Sequence, residues 1–244
     1  MIFPTVYFFR DAIALLFINL AANTLATIHF YFRTLAKYRP SDRTDPETIP
    51  YGIDLSVMNT AGTIVAQLDS VLVFHFLGPA QLAVYSFASL IPERVSSLFK
   101  FVSNAALPKF STQSIDEIRS AIVSKTIRAA IAGSVVMVLY LIFAPALFHM
   151  LFPKYAEAIF YSQVYSLVII TVAANIPAAA IVGLRMNREL YLFNLSTPFL
   201  LMALQLVLLI KFGILGILLA RVISNAINIL FAIYLLFHPL SSRT

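Results

Sequence analysis

Charged side chains stand inside stretches otherwise suited to lipid: Asp69 in AQLDSVLVFHFLGP, Glu93 and Arg94 in SLIPERVSSLFK, and Arg221 in LLARVISNA. A charge at such depth costs several kcal/mol unless it is paired or hydrated, so each residue calls for a partner or a solvated cavity. The acids are candidates for ion pairs or for coupling to sodium or protons. The cations are candidates for holding an anionic ligand. Catalysis has no comparable support. The chain has no cysteine, and His29, His75, His149 and His238 fall in separate segments without ligand spacing. Neither a phosphate-cradling glycine loop nor a nucleophile elbow occurs, so no enzyme, catalytic residue, metal site or cofactor is expected.

These residues ride on a chain of 244 residues that is 60% hydrophobic and 11% charged, with mean hydropathy +0.89. Soluble domains average about 45–50% apolar and about 25% charged, so the expected fold is all-α, a polytopic transmembrane helix bundle. A crossing needs about 20 mainly apolar residues. On that measure, seven spans are predicted, at 11–32, 53–76, 82–106, 127–149, 157–181, 190–210 and 213–237. The stretch 34–50, with three prolines and mixed charge, reads as an aqueous linker. Orientation follows from lysine and arginine. Twelve lie on one side, from Arg33 and Lys37 through Lys100 and Arg128 to Arg243, against Arg10, Lys154 and Lys211 on the other. That bias makes the linker and the C-terminus cytoplasmic. The formal charge of +6 thus reports topology rather than affinity for nucleic acid, because the cations cluster between apolar runs. Met1 then lies outside, and the expectation is that further N-terminal spans precede this chain in a larger protein.

Helical periodicity sorts the polar residues into faces. In the second span Ser56, Asn59, Thr60, Thr63, Gln67 and Ser70 form a neutral stripe, and Asp69 falls off it, on a face with Met58, Gly62, Val65 and Ala66. The stripe faces either a hydrated cavity or neighbouring helices through hydrogen bonds. In the third span Ser86, Ser89, Glu93, Ser96, Lys100 and Ser103 share one face, with Arg94 beside it and Pro92 expected to kink the helix. Glu93 lies about 17 Å below the outer end, near the midplane. This face reads as a pathway lining, or else as a structural pairing of Glu93 with Lys100 or Arg94. The last span sets Arg221, Ser224, Asn225 and Asn228 on a common face. Counted inward from Gly78 and Gly213, Asp69 and Arg221 both lie about 12–13 Å below the outer surface, so they can meet as a buried pair. The alternative gives Arg221 to an anionic ligand. Asn19, Asn23 and Thr27 form a short row in the first span that reads as packing, and Pro145 and Pro177 are expected to bend their spans. STQSIDEIRSAIVSKTIR has capping-box spacing at Ser114 and Glu117 and apolar Ile115, Ile118, Ile122 and Val123 on one face. It reads either as an amphipathic helix at the cytoplasmic interface or as an extension of the fourth span.

The stretch YGIDLSVMNTAGTIVAQLDSVLVFHFLGPAQLAVYSFASLIPERVSSLFKFVSNAALPKFS resembles the start of the C-terminal half of bacterial oligosaccharide flippases. These form the O-antigen-type polysaccharide transport family of the multidrug/oligosaccharidyl-lipid/polysaccharide exporter superfamily. The matching features are the membrane aspartate in QLDSVLVFHFLGP, the LAVYSFA entry to the next helix and the closing ALPKFS; the ending FGILGILLARVISNAINILFAIYLL is similar to the family's final helix. The resemblance implies that residues 1–33 are the last helix of an otherwise missing N-terminal lobe, 34–50 the cytoplasmic interlobe linker and 51–244 the C-terminal six-helix lobe. It implies translocation of an isoprenoid diphosphate-linked oligosaccharide across the bacterial cytoplasmic membrane for surface polysaccharide biosynthesis. Asp69 matches the membrane aspartate, as a structural or coupling acid. Glu93, Arg94 and Lys100, with Ser89, Ser96 and Arg221, would face the substrate pathway. Implied partners are membrane lipids, the lipid-linked substrate, the missing lobe and polysaccharide-assembly proteins. A cation-coupled multidrug exporter and a non-transporting interaction subunit are the alternatives.

Overall fold

The computed structural model describes residues 12–37, 48–105, 115–184 and 186–239. Its elements are α1 (Ala12–Lys37), α2 (Thr48–Leu77), α3 (Pro79–Ala105), α4 (Ile115–Leu151), a 3-10 turn at Pro153–Tyr155, α5 (Ala158–Tyr165), α6 (Leu167–Ala173), α7 (Ile176–Gly183) and α8 (Asn187–Phe237). No strand occurs among the described residues, and the all-α membrane architecture stands. By length and composition α4, the run Ala158–Gly183 and α8 can cross a membrane. Helix α8 is divided at Gly213, whose φ of 59° and ψ of −134° are non-helical, so it supplies two antiparallel arms. Each arm is about 25 residues, the length of one crossing. Helices α2 and α3 mix apolar runs with the charged positions that make the site.

The chain divides into two compact units, Met1–Gly52 and Ile53–Thr244. In the first, α1 exposes Phe17, Leu20, Leu25 and Phe30. Its polar row is satisfied within the helix: the Asn23 amide donates to Asn19 at 2.9 Å and Thr27 Oγ1 donates to the Asn23 carbonyl at 2.9 Å. In the second unit α3 packs on α5 and α6, α4 on α6, and α8 on α7, α5 and α6. Two apolar clusters hold it. One joins Val73, Tyr85, Ala88, Phe148, Tyr165, Ile217 and Leu218 near the Gly78 and Gly213 turns; the other joins Ile118, Ile122, Ala180, Ile181, Leu190, Leu235 and Leu236 at the opposite end.

The glycines explain the close approaches. Gly78, at φ 85°, closes the α2–α3 turn in a conformation that costs a Cβ-bearing residue. A Cβ on Gly133 would come within 2.9 Å of Ala173 Cβ and 3.0 Å of Ile170 Cα, so α4 and α6 touch backbone to backbone there.

The predicted span 157–181 is present as the run Ala158–Gly183, interrupted within. It tightens at Ser166, which keeps helical dihedrals, and breaks at Ala174–Asn175, where Asn175 leaves the helical region (ψ 36°) and Pro177 occupies the first turn of α7 and cannot donate to the preceding turn. Helix α3 runs through Pro92 without a break. Residues 115–151 form a single helix, which selects the extension of the fourth span over a separate interfacial helix. The reason is packing: Ile118 and Ile122 are fully buried in the second cluster, and Arg119 Nε donates to the Leu236 carbonyl at 2.7 Å, capping the end of α8. Ile115 and Val123 are exposed. Ser114, the bulk of the linker, and the side chains of Asn59, Thr63 and Ser103 lie outside the described residues.

Candidate substrate cavity

Asp69 is carried by α2 eight residues before its end, where the helix turns its acid side into the bundle. It is 1% exposed. One carboxylate oxygen, Oδ2, accepts the Tyr85 hydroxyl of α3 and pairs with Nη2 of Arg221 from the second arm of α8. The other, Oδ1, accepts the Ser70 N–H at 2.6 Å and lies 3.4 Å from the Ser70 hydroxyl. Equal depth brought Asp69 and Arg221 forward as candidates to meet, and they do meet in the structure.

Arg221 does more than neutralise Asp69. Its Nη1 donates to Glu93 Oε1 at 2.5 Å and to the Tyr165 hydroxyl at 3.1 Å, and that hydroxyl donates to Glu93 Oε1 at 3.3 Å. A single guanidinium therefore ties α2, α3 and α5 to α8. Its planar fork allows this: the two terminal nitrogens reach two acids on different helices, which a lysine ammonium would not hold in fixed directions. Side-chain exposure rises along the network, from 2% at Asp69 through 18% at Arg221 to 45% at Glu93. The pair is dry at one end and opens to a cavity at the other.

That cavity, of about 540 Å³, is lined by Gln67, Glu93, Arg94, Ser96, Ser97, Lys100, Tyr165, Arg221 and Asn225 with apolar Leu90, Val168, Val172 and Leu201. Among the described residues three cations face it against one carboxylate. A second cavity of about 460 Å³ shares Lys100, Val172 and Asn225 with the first. Arrays of this kind bind anions, because guanidinium and ammonium donors at a partly desolvated wall make charge-assisted hydrogen bonds.

Of the residues singled out in the sequence, Glu93, Arg94, Ser96, Lys100 and Arg221 are brought to this cavity. Ser89 is not. It is buried one turn away on α3, its hydroxyl 3.3 Å from the Ser86 carbonyl, where Tyr85 and Ala88 pack into the core. Glu93 pairs with Arg221, not with Lys100 or Arg94. Lys100 stands about 10 Å further along the helix, and an adjacent residue such as Arg94 points about 100° away. Ser96 is buried, and its hydroxyl has no hydrogen-bond partner among the described residues. Gln67, from the neutral stripe, reaches the cavity wall.

Tyr85 and Tyr165 were missed. For Tyr85 the available signal was spacing: it lies two turns before Glu93 on α3, so its ring shares a face with the acid. Tyr165 stands on a different helix and carried no such signal.

A family model described as polysaccharide biosynthesis protein matches residues 2–152. The match takes in Asp69, Tyr85, Glu93, Arg94 and Lys100, while Tyr165 and Arg221 lie beyond it. No curated protein and no solved structure matches the chain.

Proposed function

Since the chain belongs to the polysaccharide biosynthesis protein family, we propose that it is a membrane transporter component that translocates lipid-linked oligosaccharide across the bacterial cytoplasmic membrane. The observation that carries this reading is the half-open cavity against α2, α3, α6 and α8 where Arg94, Lys100 and Arg221 face polar Gln67, Ser97 and Asn225. An isoprenoid diphosphate needs such a wall: cations for the phosphates, neutral hydrogen-bonding groups for sugar hydroxyls, and an apolar exterior that leaves the polyprenyl tail in lipid. The protein acts as a carrier rather than an enzyme, its C-terminus cytoplasmic, with an N-terminal lobe or polysaccharide-assembly proteins completing the path.

Arg221 supplies a means of engaging and releasing an anion. A diphosphate entering the cavity competes with Glu93, the exposed acid, for Nη1, while Asp69 continues to hold Nη2. The arginine then exchanges one carboxylate for phosphate without losing its anchor. A cation-coupled drug exporter calls instead for accessible, unpaired acids. Asp69 is sealed and both acids are held by Arg221, which favours the lipid-linked substrate.

The test is turnover of lipid-linked oligosaccharide in reconstituted vesicles containing the complete transporter. Arg94→Ala and Lys100→Ala should each lower turnover about tenfold or more, in keeping with about 1.5–3 kcal/mol for a charge-assisted hydrogen bond. Unchanged turnover in both variants removes the diphosphate role of this wall.

A further inference from the structure

The second cavity differs from the first in chemistry. Asparagines 175, 194, 225 and 228 line it, with Thr171 beside them and Phe193 offering an aromatic face; among the described residues Lys100 is the one charged group lining it and stands on the wall shared with the cationic cavity. Asn175 stands exposed in the α6–α7 break and the other three amides lie half-buried on α8, and an amide atom shielded from water must have its donor or acceptor satisfied. Two shielded oxygens are not satisfied. Asn228 Oδ1 here, and Ser96 Oγ in the adjoining cavity, have no partner among the described residues. The cavity also opens at the break between α6 and α7, where the first turn of α7 includes Pro177 and its next residues, Ala178 and Ala179, line the wall. The backbone N–H groups of that turn have no intrahelical acceptor.

We propose that this amide-lined cavity is a saccharide subsite for an uncharged glycosyl unit, the one bonded directly to the diphosphate. This rests on the reading of the substrate as a lipid-linked oligosaccharide. Amides both donate and accept, as hydroxyl and acetamido groups do, and Phe193 gives the C–H face of a pyranose a surface. A uronic acid is poorly served, because the one cation among the described residues lining this cavity, Lys100, is shared with the diphosphate side. The shared wall of Lys100, Val172 and Asn225 is where the glycosyl–phosphate linkage runs from one cavity into the other. The sugar next to the diphosphate is therefore the one this chain reads.

The experiment measures binding to the full chain in lipid nanodiscs by native mass spectrometry. Three probes are used: undecaprenyl diphosphate alone, the same lipid carrying one N-acetylhexosamine, and the same lipid carrying one hexuronic acid. The neutral sugar should tighten binding about tenfold over the bare lipid, the equivalent of one or two net hydrogen bonds, and the uronic acid should not. In Asn175→Leu/Asn228→Leu, with folding checked by circular dichroism, the preference for the neutral sugar should collapse toward one. A preference that survives in the double variant overturns the subsite. So does equal binding of the neutral and acidic sugars by the unaltered chain, a result that does not depend on how any variant folds. If the unaltered chain binds none of the three lipids, the transport reading itself fails, and the subsite with it.

Discussion

Arg221→Leu separates the dry end of the charge network from its wet end. Asp69 and Glu93 hold the same guanidinium, yet their side chains are 2% and 45% exposed. Without the arginine, Glu93 regains hydration from the cavity, while Asp69 is left with the Tyr85 hydroxyl and Ser70 as donors. Stripping the partner from a buried charge costs about 3–5 kcal/mol, whereas an exposed pair is worth about 0–1 kcal/mol. The expected losses are therefore about 3–5 kcal/mol for Arg221→Leu and about 0–1 kcal/mol for Glu93→Gln. Asp69→Asn with Arg221→Leu removes both buried charges and keeps an acceptor for Tyr85, so it should recover most of the loss. A full charge swap is the poorer test. It would set an acid at position 221 against Glu93 and add a like-charge contact. The assay is reversible unfolding in mixed micelles titrated with dodecyl sulfate, followed by far-ultraviolet circular dichroism for all members of the cycle. A coupling between positions 69 and 221 below about 0.5 kcal/mol, the level of additive independent sites, would refute the reasoning. Equal costs for Arg221→Leu and Glu93→Gln would refute it as well.

Three further outcomes concern the scaffold. A Cβ on Gly216 would land on the Leu208 carbonyl across the Gly213 turn, and backbone cannot move aside, so Gly216→Ala should cost about 3 kcal/mol or more in the same unfolding assay. Gly213→Ala makes only an ordinary contact, with Leu77 Cδ1 at 3.9 Å, and should cost the backbone strain of its positive φ, about 1–3 kcal/mol. Arg119→Ala removes the donor that caps α8 at the Leu236 carbonyl and should cost about 1.5–3 kcal/mol, read as faster amide hydrogen exchange over 233–238.

By itself the sequence determined what depends on position along one helix. Composition and apolar length set the all-α membrane class. The positive-φ glycines at 78 and 213 marked two helix ends, and counting residues from them put Asp69 and Arg221 at one depth, because rise per residue is a constant of the α-helix. The same periodicity placed Glu93, Ser96 and Lys100 on the face that lines the cavity. What only the tertiary structure decided is lateral. Glu93 takes Arg221 instead of a neighbour on its own helix, Tyr165 joins from α5, Ser89 turns into the core, and 115–151 stays one helix because Ile118 and Ile122 find a buried partner surface. The reason is physical. Depth and face follow from repeats within a single element, whereas the partner across a gap follows from the rotation and packing of several helices together, which no local pattern encodes.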